Sequence, residues 1–109
     1  MILLIVGSRG ITNVDLSPYV PTDTDIIISG GACGVDAIAE KYADLHRLSK
    51  YIIRPDYKRY GRGAPLKRNE KMVDMADAVL VIWDGTSKGT RHTIKYAEKT
   101  NKPIKIILV

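Results

Sequence analysis

The chain has 109 residues, 45% hydrophobic and 27% charged, which predicts one globular domain over residues 1–109 and excludes a disordered or fibrous protein. A single cysteine excludes a disulfide framework and a thiolate metal cluster, so we expect a reducing, cytoplasmic compartment and no metal site. The longest apolar runs, 1–6 and 106–109, are too short to span a bilayer, and no basic segment precedes the first, so we expect no membrane partner and no secretory signal.

The formal net charge of +5 is unevenly distributed along the sequence. Residues 47–71 contain nine basic and two acidic residues, a balance of +7, whereas the remainder contains eight basic and ten acidic residues, a balance of −2. A local positive field attracts anions, and we favour a phosphate-bearing ligand over a merely solvated surface.

In chain order, five short runs rich in β-branched residues and leucine predict strands buried on both faces: 2–6, 26–28, 51–53, 78–83 and 104–109. Asn13 is positioned to cap a brief helix that reaches Leu16. Longer helical stripes follow, formed by Val35, Ile38, Ala39, Tyr42 and Leu45, then by Leu66, Val73 and Ala76, and then by Thr90, Ile94 and Ala97. Strands alternating with helices predict an α/β fold with a five-stranded, mostly parallel sheet and helices on both sides.

Ligands of such sheets bind beyond the carboxyl ends of the strands. The four loops expected there are 7–10, 29–36, 55–65 and 84–90, and they hold all nine glycines. The second and fourth loops lead into helix N-termini, whose free amides and dipole favour anions. Two such sites suit a diphosphate, or a phosphate plus a ribose. Because neither a Walker sequence nor G-x-G-x-x-G is present, P-loop and dehydrogenase chemistry are not indicated.

Several polar residues are candidates for the site, each with a structural alternative. Asn69 falls on the apolar stripe of its helix, where it either bonds a neighbouring loop or reaches the ligand together with Arg68. Arg9 suits phosphate or a salt bridge to Asp36 or Asp84. Asp36 either stabilises the first turn of its helix or accepts a ribose hydroxyl.

Cys33 lies near a helix N-terminus, but neither His46 nor His92 can be placed beside it, so we do not expect a catalytic cysteine. The histidines are expected to be ordinary surface or boundary residues. Trp83 ends a buried strand and is expected in the core.

The segments VGSRG, SGGACGVDAIAEKYA, PDYKRYGRGAPLKRNEKM and WDGTSKGTRHTIKYA together resemble the SLOG superfamily of DprA- and LOG-related proteins, above all its small stand-alone members related to YspA and YpsA. The resemblance implies a Rossmann-like three-layer α/β/α domain, often dimeric, that binds a nucleotide or nucleotide-derived ligand and senses or carries it. Carried over by position, it assigns ligand binding to Gly7, Ser8, Arg9, Gly30, Gly31, Gly34, Asp36, Arg68, Asn69, Asp84, Ser87, Gly89 and Thr90.

The resemblance also suggests alternatives to pure binding. A LOG-type phosphoribohydrolase carries G-T-x-x-E, but Thr93 occupies the position of that glutamate, so the acid that would assist cleavage is replaced. A nucleotide-processing hydrolase would have to use Asp36, Glu40 or Asp84 instead. DprA-like proteins bind single-stranded DNA with a larger chain, and here the basic window contains Tyr51, Tyr57 and Tyr60 as stacking candidates, of which we expect Tyr51 to pack under a loop.

Overall fold

Five parallel strands form one sheet in the computed structural model, which describes all 109 residues. The strands are β1 (Ile2–Gly7), β2 (Ile26–Ser29), β3 (Ser49–Ile52), β4 (Ala78–Trp83) and β5 (Ile104–Leu108). Their order is β3-β2-β1-β4-β5, and every neighbouring pair is parallel. The predicted five-stranded parallel sheet is confirmed.

Helices cover both faces of this sheet. They are α1 (Val35–Leu45), α2 (Tyr57–Tyr60), α3 (Ala64–Met75) and α4 (Lys88–Lys99), with a 3₁₀ turn at Gly61–Gly63. The α1 helix covers one face, while α3 and α4 pack side by side on the other. This is the predicted Rossmann-like three-layer α/β/α architecture. None of its helices combines the length and apolar character needed to traverse a lipid bilayer.

Alternation along the central strand β1 divides the core into two clusters. Leu3 and Ile5 face α1, whereas Leu4 and Val6 face α3 and α4, and all four side chains are buried. Successive side chains of a strand point to opposite faces, so a continuous apolar run is what a strand covered on both sides requires. The helices therefore stack on a sheet that is apolar on both faces.

The connections place a crevice between β1 and β4. From β1 the chain moves outward through β2 to β3, and it then returns to β4 on the other side of β1 before reaching β5. The loops after β1 and β4 consequently diverge toward opposite faces of the sheet. Such a topological switch point opens a cleft at the carboxyl ends of the strands.

Two expectations about the outer parts of the fold are wrong. The edge strands β3 and β5 are largely exposed and not buried on both faces. Residues 13–16 form no helix, and residues 8–25 contain only turns and irregular segments. Leu16 is nevertheless buried in the α1-side core, and Asp15 accepts the Ser17 backbone N–H, so local side-chain bonding replaces the helical turn.

The interior face of α3 also differs from its predicted apolar stripe. Leu66 is 40% exposed, whereas Arg68 is 9% exposed and points inward with Met72 and Val73. The basic loop before α3 folds into the short α2 helix and the 3₁₀ turn, which the sequence pattern did not predict. Tyr51 is 42% exposed on the edge strand β3, contrary to the expectation that it packs under a loop.

Candidate functional site

A cavity of 420 Å³ opens at the switch point. Only four of its seventeen lining residues are hydrophobic. Ten of the thirteen predicted ligand-binding residues line it: Gly7, Ser8, Arg9, Asp36, Arg68, Asn69, Asp84, Ser87, Gly89 and Thr90. The loops after β1 and β4, the start of α1, the start of α4 and one face of α3 thus meet around one polar space.

The other three predicted residues, Gly30, Gly31 and Gly34, do not line the cavity but shape the loop behind it. Gly34 precedes α1 with φ 74°, and its Cα lies against the backbone of Arg9, so a side chain there would be strained and obstructed. This close approach seats the start of α1 against the loop after β1.

Ser8 connects three of the segments around the cavity. Its carbonyl accepts the N–H groups of Ile11 and Val35, its hydroxyl accepts the N–H of Asp84, and its own N–H donates to the Ile82 carbonyl. The side chain is buried. Although Ser8 lines the cavity as predicted, its first role is to join the loop after β1 to α1 and to the loop after β4.

The loop after β4 is organised by Asp84. Its carboxylate accepts the backbone N–H of Thr86 at 2.8 Å and of Ser87 at 2.9 Å, and these hydrogen bonds lower the pKa of Asp84. Trp83 is half-buried against the core, and its ring N–H donates to the Ser87 carbonyl at 3.2 Å. Asp84 and Trp83 therefore fix the entry into α4.

The start of α4 faces the cavity through Ser87, Gly89 and Thr90. No side chain caps the helix, because the Ser87 and Thr90 hydroxyls bond to each other at 3.1 Å. The first amide groups of a helix have no intrahelical partner and carry the positive end of its dipole. This part of the cavity can accept an anionic oxygen.

Arg68 holds the opposite wall together. Its Nη1 donates to the Gly30 carbonyl at 2.5 Å and to the Ile53 carbonyl at 3.4 Å, while Nε donates to Asn69 Oδ1 at 2.8 Å. Burial lowers the pKa of Arg68, partly offset by Asp36. The loop contact expected of Asn69 is made by Arg68 instead, and the Asn69 amide N–H₂ remains available on the cavity wall.

Arg9 stands at the mouth of the cavity with a free guanidinium. Its side chain is exposed and forms no salt bridge, so the alternative pairing with Asp36 or Asp84 does not form. An exposed, unpaired arginine beside a polar cavity offers a planar group suited to phosphate.

The carboxylates that a hydrolase would need lie in different settings. Asp36 lines the cavity, is buried and accepts the Ala32 N–H at 3.1 Å. Glu40 lies outside the lining and accepts the Ser29 hydroxyl at 3.0 Å. Thr93 is buried in the lining, with its hydroxyl donating to the Gly89 carbonyl, so no acid occupies that position.

The cysteine and both histidines lie outside this lining. Cys33 is exposed, His46 stacks on Tyr42, and His92 contacts Glu70 at 3.0 Å. Sequence reasoning missed seven lining residues, Val6, Gly10, Ala32, Pro65, Leu66, Met72 and Thr93. Helical spacing provided a signal for three of them, because Leu66 and Met72 lie three residues from Asn69, and Thr93 lies three from Thr90.

The Gene 61 protein of Mycobacterium phage D29 is 34% identical to this chain over 85 residues, covering 72% of this chain and 68% of the phage protein. The chain belongs to the Gene 61 protein family. The SPbeta prophage-derived protein YoqJ of Bacillus subtilis (strain 168) is 33% identical over 66 residues, 58% of this chain. That match spans 37% of YoqJ, so the chain corresponds to little more than a third of that relative. No family model and no solved structure gives a significant match.

In this member of the Gene 61 family, we expect Asp36 to make the free energy of unfolding depend on pH. Burial raises the pKa of Asp36, and the Ala32 N–H and Arg68 oppose that shift only in part. Because the pKa of Asp36 is higher in the folded than in the unfolded protein, protonation of this carboxyl favours the folded state. This contribution to the free energy of unfolding is fully present at pH values below the unfolded-state pKa, and it is lost as the pH rises through the folded-state pKa. Asp36→Asn keeps an oxygen for Ala32 and is therefore expected to be more stable than the wild type near neutral pH.

Urea unfolding of both proteins at neutral pH and below the ordinary pKa of 3.8 measures this effect. The advantage of Asp36→Asn should disappear in acid. An equal difference at both pH values would contradict the assignment to carboxylate ionisation.

Proposed function

We propose that the chain is a small SLOG-type domain that binds a nucleotide or nucleotide-derived ligand, either a mononucleotide or an ADP-ribose- or NAD-like molecule, as a sensor or carrier. The observation that carries this proposal is the convergence of the uncapped α4 N-terminus, the unpaired Arg9 and the buried Asp36 on one polar cavity. The volume of 420 Å³ falls within the range of roughly 300–1,000 Å³ typical of small-molecule sites.

The polar groups suit different parts of such a ligand. The amides at Gly89 and Thr90, together with Arg9, match the oxygens of a phosphate. Asp36 can accept a ribose hydroxyl, and the Asn69 amide can donate to the sugar or the base. Because the lining contains few apolar groups, the cavity favours the phosphate and sugar over a hydrophobic compound. A cytoplasmic location and a homodimer stay predictions.

Arg9→Ala is expected to weaken nucleotide binding by about 10- to 100-fold, since a hydrogen bond to a charged group contributes roughly 1.5–3 kcal/mol. Isothermal titration calorimetry with mononucleotides, ADP-ribose and NAD measures this change. Arg62→Ala removes another exposed arginine, which lies in the 3₁₀ turn outside the cavity lining, and this variant should bind like the wild type. If the wild type binds none of these compounds, the proposed function is wrong.

Chromatography of the same mixtures separates binding from hydrolysis. Thr93 occupies the position at which LOG-type hydrolases carry a catalytic glutamate, so that carboxylate is absent from the cavity. We therefore expect the nucleotides to remain intact. Release of a free base or of phosphate would support the hydrolase alternative, with Asp36 as the lining residue to substitute first.

Single-stranded nucleic acid is a second candidate ligand, favoured by the exposed aromatic residues in the basic segment. Tyr57 is 61% exposed and Tyr60 is 41% exposed on α2, and the Arg59 guanidinium lies 5.3 Å from the Tyr60 ring. Stacking of a base on an aromatic ring contributes about 1–3 kcal/mol. Tyr57→Ala should therefore weaken binding of fluorescent oligo(dT) in anisotropy titrations by about fivefold or more. An oligo(dT) affinity unchanged in this variant would remove this candidate.

A further inference from the structure

The solvent face of α4 carries a row of cations that the overall charge balance conceals. Lys88, Arg91, Lys95 and Lys99 are all exposed. Their spacings of three, four and four residues keep them within about 80° of arc at roughly 100° per residue. We call these four residues the α4 stripe. It lies outside residues 47–71, in the part of the sequence whose summed charge is −2.

The stripe lies opposite the buried face of the helix. Thr90, Thr93, Ile94 and Ala97 are the buried residues of α4, and they pack toward α3 and the sheet. The cations are therefore directed away from the protein core. A helix rises about 1.5 Å per residue, so the stripe extends over about 16 Å.

No carboxylate neutralises the stripe. None of its four members forms a salt bridge, and Glu98 is the sole acidic residue of α4. On the adjacent helix α3, Glu70 contacts Lys67 and His92, and Asp74 accepts the Tyr96 hydroxyl. The nearby acids on α3 are thus engaged by other groups, and the stripe keeps its positive field.

The opposite layer of the molecule has the reverse charge. Residues 8–46, which include α1 and the turns before β2, contain two basic and six acidic residues, a balance of −4. The charge is therefore polarised across the sheet and not spread evenly for solubility. A polyanion approaching this molecule is attracted to the α4 side and repelled from the α1 side.

The stripe lacks aromatic residues on which unpaired bases could stack. Tyr96 is half-buried and bonded to Asp74, and Trp83 lies beneath the Arg91 guanidinium, 5.8 Å from it. A row of cations without stacking platforms matches a regular phosphate backbone and offers no way to read base identity. A duplex holds its phosphates at fixed spacing and keeps its bases stacked inside, so it needs no aromatic platform, whereas single strands are bound largely through base stacking on aromatic side chains.

We propose that the α4 stripe is a docking surface for the phosphate backbone of double-stranded nucleic acid, bound without sequence preference. This surface is separate from the cavity and does not depend on the proposed nucleotide ligand. Each cation that contacts a phosphate releases a counterion, so four contacts give a slope of about −3.6 in log K against log salt.

Fluorescence anisotropy with a labelled DNA duplex of mixed sequence, titrated at several salt concentrations, tests this proposal. The double variant Lys95→Glu with Lys99→Glu should bind at least tenfold more weakly, and its slope should fall by about 1.8 because two contacts are lost. Lys41→Glu is a control for charge reversal elsewhere, compared with Lys95→Glu alone, since Lys41 is an exposed lysine without a salt bridge on α1. Circular dichroism verifies that each variant is folded.

Four results of the nucleic-acid titrations would overturn the proposal. They are no duplex binding by the wild type, a salt slope that the double variant leaves unchanged, a loss from Lys41→Glu equal to that of the double variant, and tighter binding to oligo(dT) than to the duplex that the double variant abolishes. Equal affinity for vesicles containing anionic lipid would likewise overturn it, because the stripe would then be a general anion surface. Retention of nucleotide binding in the stripe variants separates this surface from the cavity.

Discussion

Arg68→Leu is expected to lower the free energy of unfolding by about 2–3 kcal/mol, because the buried carbonyl of Gly30 loses a charged donor. The Ile53 carbonyl and Asn69 Oδ1 lose the same guanidinium. The change also removes a positive group that stabilises the Asp36 carboxylate. Urea unfolding at neutral pH measures the loss, and calorimetry should show weaker nucleotide binding as the Asn69 amide loses its fixed orientation.

The neighbouring residue provides a control for this experiment. Lys67 is exposed and makes one weak contact with Glu70 at 3.8 Å, so Lys67→Leu should change stability by no more than about 0.5 kcal/mol. Arg68→Lys keeps the charge but not the planar set of donors, and its loss should be intermediate. If Arg68→Leu unfolds at the same urea concentration as Lys67→Leu, the described hydrogen bonds do not stabilise the fold.

Gly30→Ala is expected to destabilise the protein by about 1–3 kcal/mol through overpacking. A Cβ on Gly30 would lie 2.6 Å from Arg68 Nη1 and 2.9 Å from Asp36 Oδ2. Both groups are held in place by hydrogen bonds, so the added methyl group has to displace either the Arg68 guanidinium or the Asp36 carboxylate. Thermal unfolding detects the loss, and nucleotide binding should decline with it.

Gly89→Ala is the control for the stability measurement on Gly30→Ala, because it makes the same substitution at an uncrowded position. Gly89 lies in the first turn of α4, and a Cβ there would meet no atom within 4 Å. Alanine is favoured over glycine in helices by up to about 1 kcal/mol, so this variant should be as stable as the wild type or more so. If Gly30→Ala has a melting temperature equal to or above that of Gly89→Ala, the close approach of Gly30 to Arg68 and Asp36 is wrong.

The sheet and its layers were predictable because their signal is local and repeated. The runs at β1 and β4 are apolar at every position. Such an uninterrupted apolar run is typical of a strand that is covered on both faces. The edge strands β3 and β5 also contain apolar runs, but each lacks a neighbouring strand on one side, and their edge positions depend on the strand order. The failed helix at residues 13–16 has a related cause, because Leu16 is held by the tertiary core and not by a helical turn.

The location of the cavity was predictable, and the contacts of each lining residue were less so. Glycine-rich loops after parallel strands indicate one rim, and ten predicted residues do line the cavity. The roles of Leu66 and Arg68 were exchanged, because a hydrophobic stripe is defined by residue type alone. Arg68 is buried since acceptors from two other segments meet it there, a condition that spans 15 and 38 residues of sequence.

The cavity also divides into a fixed interior and a replaceable entrance, with a consequence for evolution. Its buried polar residues Ser8, Asp36, Arg68, Thr90 and Thr93 all form internal hydrogen bonds, whereas the side chains of Arg9 and Leu66 at the entrance are exposed and form none. Substitutions at the entrance can therefore accumulate without unravelling the domain. Homologous domains can diverge in ligand choice by exchanging these two side chains while inheriting the same interior unchanged.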